Sequence, residues 1–69
     1  MTQHERILAY IDRFGSISPA EAFADLGITK LATRISEMIR KGEKITKRME
    51  TNRNRFDEPV HYMRYSRTV

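Results

Sequence analysis

The chain has 69 residues, with 13 Lys and Arg against 9 Asp and Glu, no Cys, no Trp and 39% hydrophobic residues. That length holds one small domain, the lack of Cys excludes a disulfide framework and any thiolate metal site, and no apolar run approaches the roughly 18–20 residues needed to cross a bilayer. Residues 1–25 carry two basic against four acidic side chains, whereas residues 26–69 carry eleven against five, and a basic excess segregated in this way points to a polyanionic partner.

The first element starts at a capping box. Thr2-Gln3-His4-Glu5 places a hydroxyl and a carboxylate three residues apart, so each can satisfy a backbone donor of the other's residue. Ile7, Leu8, Tyr10, Ile11 and Phe14 then fall on one stripe, and Gly15 supplies the stop, which predicts a helix over 3–14. This segment has no basic-then-apolar leader pattern, so the expected location is the cytoplasm. Ser18-Pro19-Ala20-Glu21 repeats the start signal, with Pro at the first helical position. Ala22, Phe23 and Leu26 share a face and Gly27 follows, giving a helix over 19–26. Between the two, Ser16-Ile17 reads as a brief extended segment, with Ile17 placed to staple onto Ala22 or Phe23. The third helix spans about 30–41, with Thr29 as its N-cap and Gly42 past its end. Leu31, Ile35, Met38 and Ile39 form its buried stripe, and Lys30, Thr33, Glu37, Arg40 and Lys41 lie opposite, with Arg34 and Ser36 on the flanks. Two helices joined by a glycine turn, the second with a basic outer face, form a helix-turn-helix.

After Gly42 the period changes to two. Ile45, Lys47, Met49 and Thr51 alternate with Lys44, Thr46, Arg48 and Glu50, and Val60 to Tyr65 is rich in strand formers, so about 44–66 is a hairpin with a polar, basic tip. Putting Met49 and Thr51 on the face of Met63 and Tyr65 requires paired residue numbers with an even sum. Thr51 with Tyr65 and Phe56 with Val60 satisfy this, with Asp57-Glu58-Pro59 as the loop, and a five-residue loop keeps the same parity. A two-residue loop would instead set Met63 and Tyr65 behind Glu50 and Asn52. Tyr10, Phe14, Phe23 and Tyr65 are expected in the core and Phe56 exposed at the tip.

Three helices followed by a hairpin give an α+β fold with the winged helix-turn-helix layout, one domain over residues 1–69. Ile28-Thr29-Lys30-Leu31-Ala32-Thr33-Arg34-Ile35 with Met38-Ile39-Arg40-Lys41-Gly42, and Asn54-Arg55-Phe56 with Met63-Arg64-Tyr65, resemble the short winged helix-turn-helix proteins of bacteriophages and prophages. The resemblance covers nearly the whole chain and implies DNA binding, with the third helix as reader and the hairpin as wing. Those proteins tend to carry glycine after the Asn-Arg-Phe of the wing, where this chain has Asp57.

The candidate DNA contacts are Thr29, Lys30, Thr33, Arg34, Arg40 and Lys41 around the third helix and Arg53, Asn54 and Arg55 in the wing. Lys30 and Arg34 sit early in the helix, where base edges are met. Arg pairs bidentately with guanine, and the Thr33 methyl suits thymine. Arg40 and Lys41 suit phosphate or the helix dipole. Read blandly, the same side chains are a solvated helix face and an edge strand guarded by charge, and Glu37 simply pairs with Lys41. His4 and His61 have no carboxylate at ligand spacing, no serine has a nucleophile's context, and three glycines form no phosphate loop. The expectation is therefore a non-enzymatic binder of double-stranded DNA without metal, cofactor or small-molecule substrate, a regulator of transcription in a phage or prophage, with any homodimer forming on DNA or through the wing. An architectural or recombination-directing factor and a protein-interaction winged helix are the alternatives. Steep loss of binding with salt would favour DNA over docking through an apolar patch.

Overall fold

A computed structural model describes residues 1–68 as α1 (Gln3–Phe14), α2 (Pro19–Leu26) and α3 (Leu31–Arg40), followed by an antiparallel pair, β1 (Ile45–Arg53) and β2 (Pro59–Arg67). Both capping boxes form. The Thr2 hydroxyl accepts from the Glu5 backbone at 3.1 Å while Glu5 Oε1 accepts from the Thr2 backbone at 2.8 Å. Ser18 and Glu21 exchange the same pair at 3.3 and 2.9 Å. Each box satisfies two donors that a helix start leaves unpaired.

The start of α3 departs from expectation. Its N-cap is Lys30, which makes no side-chain capping bond, and Thr29 lies one residue too early to serve. Ile28 and Leu31 are both buried, so the core sets the helical phase and overrides the local capping preference of Thr29. The other end of α3 is a Schellman turn: Glu43 N donates to Met38 O and Gly42 N to Ile39 O, both at 3.0 Å. Gly42 closes it at φ 106°, in the left-handed region that glycine enters without penalty.

Ile7, Ile11, Ile17, Ala22, Ile28, Leu31, Ile35, Met38 and Tyr65 form the core, with Leu8, Tyr10, Leu26, Ile45 and Met63 packed against it. Ile17 and Ala22 both belong to it, as the staple at the start of α2 requires. Three expected core residues lie outside. Phe14 and Phe23 are 62% and 63% exposed and Ile39 is 38% exposed. Ile39 sits about 100° round the helix from Met38, on the flank of a stripe centred on Leu31, Ile35 and Met38. Phe23 is likewise turned from Ala22, the fully buried residue of α2. Phe14 ends α1 beyond the core edge and stacks on Tyr10, with ring centroids 4.6 Å apart.

The hairpin register keeps the expected parity and Met49 faces Met63, but the pairing is shifted. Thr51 faces His61 and Lys47 faces Tyr65; Asn52 faces Val60, and Phe56 is in the loop. Two features set this shift. Ile17 exchanges two backbone bonds with Tyr65 (2.8 and 2.9 Å), adding a one-residue third strand that pins β2 to the helices. At the far end, residues 54–58 form the five-residue loop rather than Asp57-Glu58-Pro59. Asn54 Oδ1 accepts from the backbones of Phe56 and Glu58 at 2.9 and 3.0 Å, and Asp57 takes φ 60°. Asp57 thus adopts the conformation for which glycine is the usual residue. Asp57→Val should destabilise the protein by about 1–2 kcal/mol, read by chemical denaturation, whereas Asp57→Asn should stay within a few tenths because Asn tolerates this region.

Candidate nucleic-acid interface

Burying Leu31, Ile35 and Met38 turns the opposite side of α3 outward, and that side presents Thr33, Ser36 and Arg40, with Thr29 and Lys30 exposed at its N-terminal end and Lys41 exposed at the other. Lys30, Arg40 and Lys41 form no ion pair with another described residue. The glycine turn that aims the helix is short: Gly27, at φ 69°, donates to Phe23 O, and Ile28 N donates to Ala22 O, both at 3.0 Å.

Arg34 is different. Its side chain is only partly exposed, and Nη1 lies 3.3 Å from Glu37 Oε1. The same oxygen meets His4 Nε2 at 2.9 Å, which ties the start of α1 to α3. Glu37 therefore pairs with His4 and Arg34, not with Lys41. The His4 hydrogen bond, helped by the Arg34 charge, holds the Glu37 carboxyl below the usual carboxylate range. Arg34 Nε is buried without a protein partner among the described residues. The guanidinium is thus oriented by one contact, with Nη2 uncommitted to any described residue.

In the wing, Asn54 serves mainly to shape the tip, since its amide also donates to Glu58 Oε1 at 3.2 Å. Arg53 folds back, donating from Nη1 to Asp57 O at 2.8 Å and lying 3.5 Å from Asp57 Oδ1. Arg55 is exposed and unpaired among the described residues. Of the three wing candidates, Arg55 alone has its charge uncommitted. His61 Nδ1 shares a 3.0 Å bond with Thr51 Oγ1 across the strands.

Arg64 belongs to the Met63-Arg64-Tyr65 segment that carries the resemblance, but the sequence assigns it no role. In the fold it joins the wing to α2. Nη1 donates to Glu21 Oε1 (2.9 Å) and Ser16 Oγ (3.0 Å), while Nε lies 3.0 Å from Glu50 Oε1. Glu50 also accepts from the Tyr62 hydroxyl at 3.0 Å and from Arg48 Nη2 at 2.9 Å. The Arg64 hydrogen bond, then those of Tyr62 and Arg48, hold the Glu50 carboxyl below its ordinary range. The only sequence signal for this cluster is that residues 50, 62 and 64 share strand parity.

A helix pair with a tight glycine turn, an outward basic helix and a hairpin fastened to the pair together define a winged helix-turn-helix. The chain belongs to the family described as the winged helix-turn-helix domain, which matches residues 2–66. Neither the comparison with curated proteins nor that with solved structures gives a match. Among the described residues no helix is long and apolar enough to cross a membrane.

Proposed function

We propose that this protein binds double-stranded DNA sequence-dependently, with α3 in the major groove and the wing along the flanking backbone, as a small cytoplasmic transcriptional regulator of the phage or prophage type. The observation that carries the reading is the division of charge in the basic half. Glu37, Glu50, Asp57 and Glu58 are engaged by neighbouring side chains; Glu43 is the one acid of this half that is not, and it is outnumbered around α3 by Lys30, Arg40 and Lys41, which form no ion pair among the described residues. The local field of α3 is therefore positive, as a phosphate-lined groove requires.

Arg34 and Lys41 separate reading from attraction. Arg34, oriented by Glu37 through Nη1, is preorganised to present Nη2 to an acceptor on a base edge such as that of guanine. Arg34→Ala should lower specific affinity by about 1–2 kcal/mol and relax the preference at one base pair. Lys41→Ala should weaken all sequences alike, because a phosphate contact carries no base information. The experiment selects a site from random DNA, then titrates both variants against that site and its single-base changes. Uniform loss for Arg34→Ala would make it a backbone contact, and no loss would remove α3 as the reading element. In the wing, Arg55→Ala should reduce the slope of log affinity against log salt by about one unit with little change in the selected sequence. An unchanged slope would mean that the tip does not meet phosphate.

A further inference from the structure

Two exposed apolar features remain outside the DNA reading. Phe56 at the wing tip is 84% exposed, yet the turn that presents it is closed by four hydrogen bonds, among them Asn54 N to Glu58 O and Asp57 N to Asn54 O, both at 3.0 Å. The tip is also electrically unlike the rest of the basic half. Asp57 and Glu58 follow Phe56 directly and balance Arg53 and Arg55, which gives a neutral end ill suited to lie deep among phosphates. The second feature is an open apolar groove of about 200 Å³ on the outer side of α1, lined by Met1, Ala9, Tyr10, Phe14 and Leu26 together with Arg6 and Arg13. The Arg13 guanidinium lies 5.5 Å from the centre of the Phe14 ring, and neither rim arginine forms an ion pair with another described residue.

We propose that the wing tip of one molecule docks in the α1 groove of a second copy, so that molecules join head to tail. Phe56 fills the apolar floor, and Asp57 and Glu58 meet Arg6 and Arg13. The two carboxylates that directly follow Phe56 match the unpaired basic rim of the groove, which favours this pairing over groove-with-groove contacts. The contact cannot close within one molecule. The outer half of the wing borders the N-terminal end of α2, where Asn52, Val60 and Tyr62 face Ser18, Pro19 and Ala20, whereas the groove lies at the α2 C-terminal residue, Leu26. An interface that uses a different patch on each partner is heterologous and leaves one tip and one groove free in every chain of molecules. The buried patch is small, so the contact is weak in free solution. Neighbouring sites on one DNA molecule would strengthen it through effective concentration.

The test reads self-association without DNA, so its outcome is independent of whether the DNA reading holds. Sedimentation velocity over a concentration series at low salt is run on the wild type, on Phe56→Ser, on the double variant Arg6→Glu with Arg13→Glu, and on an equal mixture of the two variants. All changed residues are exposed, and circular dichroism verifies that each variant is folded. The wild type should grow past the dimer as concentration rises, and each variant alone should stay monomeric. The mixture should form one-to-one dimers and stop, because one partner retains only a groove and the other only a tip. A wild type that is monomeric up to millimolar concentration overturns the proposal. Association that plateaus at the dimer, or that survives Phe56→Ser, also overturns it.

Discussion

Ile35→Ala is expected to remove a large share of the stability of the protein at 25 °C and to unfold it if that stability is at the low end for its length. Ile35 is fully buried at the centre of the α3 stripe, among Ile7, Ile11, Leu31 and Met38 in the core. Truncating a buried isoleucine costs about 2–5 kcal/mol through lost transfer energy and the cavity left behind. A chain of this length has only about 3–10 kcal/mol of stability in total. Ile35→Val, which removes one methylene, should cost about 1 kcal/mol and remain folded. Urea denaturation followed by circular dichroism measures both. A value for Ile35→Ala within a few tenths of a kcal/mol of wild type would contradict the packing of α3 described above.

Arg64→Ala should have the second largest effect, about 2–3 kcal/mol, because it removes hydrogen bonds between charged groups and leaves Glu21 and Glu50 facing each other without their shared cation. Arg64→Met keeps most of the packing volume and separates the two contributions. The pH dependence identifies the electrostatic part. The Glu50 carboxyl lies below its ordinary value of 4.5. Its contribution to stability is therefore complete above that value and lost as pH falls through the lower folded one. Stability of the wild type should fall over this acid range, and Arg64→Met should flatten that fall. Since Arg64 ties β2 to α2, both variants should also let the wing move relative to the helix pair. An Arg64→Met variant with wild-type stability and an unaltered acid limb would show that the cluster is a solvated surface network with no structural role.

Most of the architecture was legible because its signals are local. Two capping boxes, Pro19 at a first helical position and glycines after each helix mark boundaries within a residue or so of those observed, since each satisfies or breaks backbone hydrogen bonds within one turn. Strand parity was legible for the same reason: alternation ties every apolar residue of a strand to one face. Thr29, Phe23 and the strand pairing show where local signals stop. Thr29 has the right chemistry for a cap, but burial of Ile28 and Leu31 moved the helix start past it. Phe23 looked like core from its hydrophobicity, but α2 packs so closely on Ala22 that a large side chain one residue on is left in solvent.

The candidate DNA contacts divide along the same line. Sequence alone determined that the second half of the chain is basic, that a helix-turn-helix precedes a hairpin, and that Lys30, Thr33, Arg40 and Lys41 lie away from the apolar stripe of α3, because composition and helical period need no partner to be read. The local pair of Arg34 with Glu37 is open to sequence reading as well, but only the tertiary structure decided the longer-range pairings. Arg34 is held by a glutamate that also reaches His4 on α1, Arg53 and Asn54 are drawn into the tip, and Arg64 is fastened between two carboxylates from α2 and β1. The Arg34–Glu37, Arg53–Asp57 and Asn54–Glu58 contacts lie three or four residues apart and are local in sequence, whereas His4–Glu37 and Arg64–Glu21, 33 and 43 positions apart, depend on where packing brings the backbones together, which no local pattern of residues encodes.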